Sequence, residues 1–353
     1  MNLKELRKQI DGIDTRIVEY LNKRLEITLE IRNLKKKLGK GIYSPEREYE
    51  VLQRLKSIHR SLLSDGALES IYREVMSSAL ALEKPLRIAY LGPEATFTHL
   101  AAIKRFGEQL HYVPCGSISD VFKEVERGNA NYGVVPIENS IEGAVTHTMD
   151  MLIDSDLKIC AQIVMNVSHN LLSKYPKERI ARIYSNPQVF AQCRMWLQQN
   201  FSKAELIDAA STTRAAQIAQ KEKNSACIAS ILAAEVYKLK VIARNIEDSP
   251  NNITRFLVIG TSGASPTGND KTSLVFSIKD NVGALHDMLV PFKKYRINLT
   301  KIESRPSKRR AWDYYFFVDL EGHIQNKKVA QALRELEANA KFLKVLGSYP
   351  KAE

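Results

Sequence analysis

The sequence contains no apolar run long enough to span a bilayer, and Met1 to Lys8 lack the hydrophobic stretch of a secretion signal. No membrane partner is therefore expected, and the cytoplasm is the expected compartment. Cysteine is scarce. Cys115, Cys160, Cys193 and Cys227 are far apart and form no C-x-x-C pair, which argues against a disulfide framework and a cysteine zinc site. Acidic residues are in deficit: 52 Lys and Arg against 40 Asp and Glu leave a net charge of +12. Such an excess invites a nucleic-acid reading. However, the cations are scattered through amphipathic segments, and only Lys35-Lys36-Lys37 and Lys308-Arg309-Arg310 form short runs. No helix-turn-helix or basic recognition helix accompanies them. A solvated surface that attracts small anions explains the charge at least as well, and nucleic acid is not an expected partner.

A chain of 353 residues has room for two or three domains, and three stretches follow different rules. We place the limits at 1–85, 86–262 and 271–353. The first stretch has almost no strand signal. Leu3, Leu6, Ile10, Ile13, Ile17 and Tyr20, then, one two-turn step on, Ile27, Ile31, Leu34 and Leu38, recur at spacings of three and four. That predicts one amphipathic helix roughly 54 Å long. A helix of that length outreaches any core that the stretch can build, so it needs a partner, most simply a second copy of itself. Pro45 suits the first turn of a second helix, and a third is predicted over 67–83.

Charges fall on the seam of the first helix. Continuing its rhythm puts Arg24 on the buried stripe, where a charge needs compensation. Either a Glu of another helix or an anionic ligand would supply it. Lys35 lies about 20° away in helical phase and roughly 16 Å along the axis, so both can converge on one dianion. Arg7 sits roughly 25 Å from Arg24 and cannot reach the same ligand within one chain.

Arg7, Arg24, Lys35, Arg47-Glu48 and the terminal Glu83 together resemble the helical chorismate mutases, which form intertwined dimers of three-helix chains. The resemblance implies that Arg24, Arg47 and a second copy's Arg7 hold the carboxylates of chorismate. Lys35 would address the ether oxygen and Glu48 the ring hydroxyl. Such a rearrangement needs a clamped conformer and stabilised charge, with no covalent catalyst or metal. Ser44 stands where Asp is common, and Glu83 where Gln often donates to the ether oxygen. An ionised Glu83 cannot donate. Mutase activity is therefore expected to fall as pH rises, and Glu83→Gln to flatten that profile.

From Leu86 short apolar strands alternate with helices, as at 87–91, 132–135, 180–184 and 226–229, which predicts an α/β domain with mostly parallel strands. Its strands run into loops of small hydroxyl and amide residues. These carry Thr96; Glu138, Asn139 and Ser140; Ser185 and Gln188; Ser211 and Thr212; and the strand mouth Thr254-Arg255-Phe256. Ligands of open α/β sheets bind beyond the carboxyl ends of strands, although any one such loop also suits a turn or helix cap. With no His-Asp-Ser order, nucleotide loop or metal-ligand cluster among them, a binding or lyase-type cleft without cofactor is expected.

The strings GPEATFTHLAA, VVPIENSIEGAV, YSNPQVFAQCRMWL and NNITRFLVIG resemble prephenate dehydratase. That family implies two α/β lobes, like a periplasmic binding protein, with the site between them. Thr254 would hydrogen-bond the departing ring hydroxyl of prephenate, Arg255 would orient a carboxylate, and Phe256 would supply apolar wall. Ala95 sits where Gly is usual and Asn186 where His is common.

After the linker-like stretch 261–269 the order is strand 272–278, helix 284–295, strands 297–303 and 312–320, helix 327–340 and strand 342–346, a ferredoxin-like unit. Asn281, Gly283, Ala284 and Leu285 open its first helix, and Glu303, Ser304, Arg305 and Pro306 end its second strand. Both runs resemble the phenylalanine-binding motifs of the ACT regulatory domain, with Val282 in place of a usual Pro. The combined expectation is a cofactor-free bifunctional enzyme of phenylalanine biosynthesis, a homodimer or homotetramer. It would turn chorismate into prephenate and then phenylpyruvate, under feedback by L-phenylalanine. A binding protein or amino-acid-responsive regulator without chemistry is the competing class.

Overall fold

The computed structural model describes residues 2–37, 43–58, 62–83, 86–278, 281–307 and 313–351, the side chains of Lys36 and Glu83 apart. Two compact units emerge: Met1–Arg87 with Arg105–His111, and Ile88–Lys104 with Tyr112–Glu353.

The first unit holds α1 (Leu3–Lys37), α2 (Pro45–Ile58) and α3 (Asp65–Glu83). Asn2 Oδ1 accepts from the Glu5 backbone while Glu5 Oε2 accepts from the Asn2 backbone, both at 2.9 Å. This reciprocal cap fixes the start of α1, and Pro45 occupies the first position of α2 as expected. The core is small: Val51, Leu55 and Leu68 with Tyr72 and Met76. By contrast α1 leaves Leu3, Ile10, Ile13, Ile17, Ile27 and Leu34 half or more exposed. The segment Arg105–His111 is tied to α3, where Glu74 accepts from the Glu108 backbone and Ser77 from that of Gln109, each at 3.3 Å. Gly107 permits this approach: its φ is +77°, and a Cβ there would lie 2.4 Å from Ser77 Cβ.

The second unit begins with an α/β lobe of β1 (Arg87–Leu91), α4 (Phe97–Phe106), β2 (His111–Cys115), α5 (Ile118–Glu126), β3 (Tyr132–Asn139), β4 (Gly143–Ala144), α6 (Thr146–Asp154) and β5 (Lys158–Asn166). The chain then crosses to a second lobe. This comprises β6 (Asn170–Ser173), β7 (Arg182–Ser185), α7 (Pro187–Gln192), α8 (Arg194–Asn200), β8 (Glu205–Asp208), α9 (Thr212–Lys221), β9 (Ser225–Ala229), α10 (Ile231–Val236) and β10 (Lys240–Ala243). It returns as β11 (Ile253–Gly260), inserted between β3 and β5 in the order β2-β1-β3-β11-β5. The second sheet runs β10-β6-β9-β7-β8.

Two lobes joined by two crossings match the expected architecture, but the sheets are mixed rather than mostly parallel. β1 and β3 are parallel, as are β7 with β8 and β9, whereas β11 opposes both neighbours and β6 opposes β9 and β10. The reversed strands are those that carry the chain out of one lobe and back.

The remainder is β12 (Asp270–Ser277), α11 (Ala284–Lys294), β13 (Leu299–Pro306), β14 (Tyr314–Glu321), α12 (Lys327–Asn339) and β15 (Phe342–Pro350), in sheet order β13-β14-β12-β15. Its sheet is buried on both faces, and strand alternation sorts the residues. Leu274, Phe276, Phe316, Val318 and Leu320 pack under the two helices with Met288, Phe292 and Leu333. Val275, Tyr315, Phe317, Leu346 and Tyr349 join the core of the first lobe with Phe122, Met149, Ile159 and Leu257. Gly347 is required there, because a Cβ would stand 2.2 Å from the Ile159 carbonyl oxygen. The stretch 261–269 is no loose linker either. Cys160 Sγ donates to the Ser262 carbonyl, and Asp270 accepts from Thr267 and Gly268.

Candidate functional site

A cavity of about 740 Å³ opens in the helical unit, lined by Arg24, Thr28 and Lys35 of α1, Ser44, Arg47 and Glu48 around the start of α2, and Tyr72 and Met76 of α3. Arg24 Nη1 is buried there and has no hydrogen-bond partner among the described residues. Burial, with Arg47 adding repulsion and Tyr72 opposing it, holds its guanidinium below the usual value. A buried unsatisfied guanidinium among further cations is costly, and a dianion entering the cavity offsets that cost. Of the two compensations open to Arg24, a Glu supplies none among the described residues. Arg47 is exposed and pairs with Glu50 at 2.9 Å. Arg7 is exposed on α1 and lies outside the cavity lining. The Glu83 side chain lies outside the described residues, as does Leu38.

Glu48 is held by partners that sequence reasoning did not supply. Tyr43 Oη donates to its Oε2 at 3.0 Å, and Arg105 Nη2 stands 3.1 Å from the same oxygen. Tyr43 precedes the second helix by two residues and was within reach of a sequence argument. Arg105 belongs to α4 and carries no local signal.

In the α/β unit, β11 distributes its residues by alternation. Thr254 is paired with Asn139 on one side and Met165 on the other, while Arg255 is paired with Glu138. Directly opposed residues share a face. Thr254, Asn139 and Met165 therefore face one way, and Arg255 and Glu138 the other. Met165 lines a cavity of about 340 Å³ with Phe97, Asn166, Ser168, Ile231 and Arg244, drawn from both lobes. Asn166, next to Met165 at the end of β5, lines the same space, whereas Thr254 does not line it and is itself buried.

Asn139 Nδ2 donates to Thr254 Oγ1 and to Asn252 Oδ1, both at 2.7 Å. Its Oδ1 accepts from the backbones of Ile141 and Glu142, which fixes the amide's orientation. Asn252 donates onward to Gln192 Oε1 at 3.0 Å, and His169 Nε2 meets that oxygen at 2.7 Å. Gln192 Oε1 can only accept, so His169 Nε2 donates in this pair; burial lowers the His169 pKa despite opposing effects of Gln192 and Glu247. This chain crosses from β11 to α7, joining the lobes. Because Oγ1 accepts from Asn139, the Thr254 proton is left to donate, and it finds no acceptor among the described residues. Asn252 and Gln192 stand inside the motifs NNITRF and YSNPQVFAQ, but their roles depend on contacts across the fold.

Arg255 does not share the Thr254 face. Its Nη1 lies 2.5 Å from Asp319 Oδ2 of β14, and Nε lies 3.6 Å from Glu138. Glu138 also meets Lys301 at 2.9 Å. Both residues, expected in the cleft, serve the contact with the ferredoxin-like unit, since neighbours on a strand point oppositely. Phe256 is fully buried in the core. Several hydroxyls act as caps or ties. Thr96 caps α4 and Ser211 caps α9, accepting from the His99 and Arg214 backbones. Ser185 is buried and donates to the Ile228 carbonyl, and Ser140 donates to that of Asn251. Thr212 opens α9, and Gln188 donates to Glu142 at 3.2 Å.

In the C-terminal unit, Gly283 caps α11 at φ +80°, with Asn281, Ala284 and Leu285 beside it. β13 is an edge strand that exposes Ser304 and Pro306. Arg305, expected at an effector, turns away from them to pair with Asp150 of α6 at 2.5 Å, and Glu303 pairs with Lys301 at 2.9 Å.

Family models match three consecutive stretches: chorismate mutase type II over 6–84, prephenate dehydratase over 88–264 and the ACT domain over 272–338. A bifunctional chorismate mutase/prephenate dehydratase of Aquifex aeolicus is 49% identical over 355 residues, covering 99% of this chain and 98% of that protein. The protein of the same description from Stutzerimonas stutzeri is 44% identical over 357 residues, with the same coverage. The crystal structure of an Arthrobacter aurescens prephenate dehydratase in complex with L-Phe shares 32% identity and a TM-score of 0.70, over 76% of this chain and 90% of that one.

Proposed function

The chain belongs to the family of bifunctional chorismate mutase/prephenate dehydratases, and we propose that its two reactions divide between the cationic cavity and the Thr254 face as their chemistry requires. In phenylalanine biosynthesis it rearranges chorismate to prephenate, then decarboxylates and dehydrates prephenate to phenylpyruvate, under feedback by L-phenylalanine.

The observation that carries the assignment of the first site is the buried Arg24 Nη1, without a hydrogen-bond partner among the described residues, in a cavity shared with Lys35 and Arg47. Arg24 and Arg47 take carboxylates, Glu48 accepts the ring hydroxyl, and Lys35 stabilises negative charge building on the ether oxygen as the C–O bond breaks. Arg7 of a second copy completes the clamp. The half-exposed apolar stripe of α1 supports that copy, since covering what remains exposed of each Ile or Leu contributes roughly 1 kcal/mol, about half the value for full burial.

In the second site, loss of carbon dioxide sends an electron pair into the ring and expels the ring hydroxyl, which takes a proton from solvent to leave as water. Thr254 donates its hydrogen bond to that departing oxygen, and Asn139 holds the threonine in place. Effector recognition falls to the loop of Asn281–Leu285 and the exposed end of β13, with the limits 1–85, 86–262 and 271–353 as functional boundaries. A homodimer or homotetramer in the cytoplasm completes the reading.

Arg24→Ala is the test. It is expected to abolish chorismate use and to leave the conversion of supplied prephenate intact. Continued chorismate turnover, or loss of both activities in a folded protein, rejects the division.

A further inference from the structure

Arg105 falls outside the stretch matched to chorismate mutases and inside that matched to prephenate dehydratases, yet it lines the cationic cavity. Its Nε donates to Tyr43 Oη at 3.0 Å, and its Nη2 lies 3.1 Å from Glu48 Oε2. Tyr43 Oη donates to the same Oε2 at 3.0 Å. The three groups close a triangle on one carboxylate oxygen. With the Arg105 and Glu48 side chains 18% and 10% exposed, this ion pair is shielded from solvent.

The backbone that presents Arg105 is itself fixed. Arg73 Nη1 reaches the Arg105 carbonyl at 3.4 Å, the Phe106 ring lies 5.1 Å from that of Tyr43, and the following residues are tied to Glu74 and Ser77. The last torsion of a Glu is broad and roughly two-fold when nothing restrains it. Two donors on Oε2 remove that freedom and leave Oε1 as the acceptor for a ligand.

We propose that Arg105 is a positioning residue of the mutase site: it turns Glu48 so that Oε1 meets the ring hydroxyl of chorismate, and the mutase thus depends on a residue of the dehydratase stretch. The proposal rests on the reading of Glu48 as the hydroxyl acceptor.

The test is steady-state kinetics of the full chain on chorismate and on prephenate for Arg105→Met, Arg105→Lys, Glu48→Gln and the Met/Gln double variant. A hydrogen bond to a charged acceptor corresponds to roughly 10- to 100-fold in binding. Arg105→Met is expected to raise KM for chorismate about tenfold with kcat little changed and prephenate kinetics unaltered. Arg105→Lys recovers part of the loss, because an ammonium cannot span Oε2 and the tyrosine together. The double variant behaves as Glu48→Gln alone, since both changes remove one interaction.

Multiplying losses, or an unchanged KM in Arg105→Met, overturn the proposal. If Glu48→Gln itself leaves chorismate turnover untouched, the underlying reading of Glu48 fails and the proposal with it. Should Arg105→Met not fold, Tyr43→Phe decides. Removal of the other donor to Oε2 raises KM in the same direction, and absence of a rise rejects the proposal.

Discussion

The Thr254 hydroxyl keeps a hydrogen that no group among the described residues accepts, and the proposed chemistry turns on it. Asn139 occupies the oxygen, strand pairing fixes the backbone, and no described acceptor takes the proton. A second residue-scale feature lies nearby. Ala95, where the resemblance expects Gly, has φ +66°, a left-handed conformation costing a residue with a Cβ roughly 1–2 kcal/mol. The departure noted in the sequence thus has a backbone meaning that a single chain without coordinates cannot reveal. The Ala95 backbone donates to His99 Nδ1 at 3.2 Å, and the His99 ring stacks on Tyr90 at 4.4 Å. Burial drives the His99 pKa down to about 4. The unfolded chain takes up this proton near the ordinary histidine value, whereas the folded chain resists it. Stability present above about pH 6.5 is therefore lost as pH falls toward 4, by at most about 3 kcal/mol. Thermal midpoints measured between pH 7 and 4.5 should fall less steeply in His99→Gln than in the parent protein.

At the scale of one element, β11 explains which expectations held together and which parted. Thr254 and Arg255 are adjacent, and adjacency in a strand puts them on opposite faces. That rule was available from the sequence; what lay on each face was not. Asp319 is 64 residues from Arg255 and announces itself through no motif. Burial pushes the Asp319 carboxyl up, but Arg255, Ser273 and Lys271 outweigh it and hold it below the ordinary carboxylate value. Its contribution to stability is complete above about pH 4 and is lost as pH falls through the lowered value. Arg255→Met should leave the buried Asp319 with Ser273 and the more distant Lys271 and destabilise the contact, by no more than roughly 3–5 kcal/mol. We expect weakened phenylalanine inhibition with KM for prephenate nearly unchanged, read from inhibition curves and denaturant melts. A tenfold rise in that KM with inhibition intact would return Arg255 to the cleft.

Over the whole molecule, periodicity made much of the architecture legible: the length of α1, the order of the C-terminal unit and the loops at strand ends. It did not foresee the mixed sheets, because the direction of β11 depends on where the chain re-enters the first lobe. Nor did it foresee that Arg105 lines the cationic cavity, since its partner Tyr43 is 62 residues away. The stripe of α1 carries the account's prediction about assembly. Ile13→Glu and Ile17→Glu place charges on that stripe, where both residues are about half exposed. They should disrupt pairing of the helical units in sedimentation runs and remove chorismate use while prephenate use survives. A parent protein that sediments as a monomer with full mutase rate would contradict this.

The central claim is that one chain carries two successive, separable sites, the second depending on the Thr254 hydroxyl. The most direct measurement is a time course of chorismate added to Thr254→Ala, with products resolved by proton NMR. The account predicts normal consumption of chorismate, accumulation of prephenate, and formation of phenylpyruvate slowed at least about a hundredfold. Phenylpyruvate appearing at the parent rate, or chorismate left unconsumed by the folded variant, would contradict it.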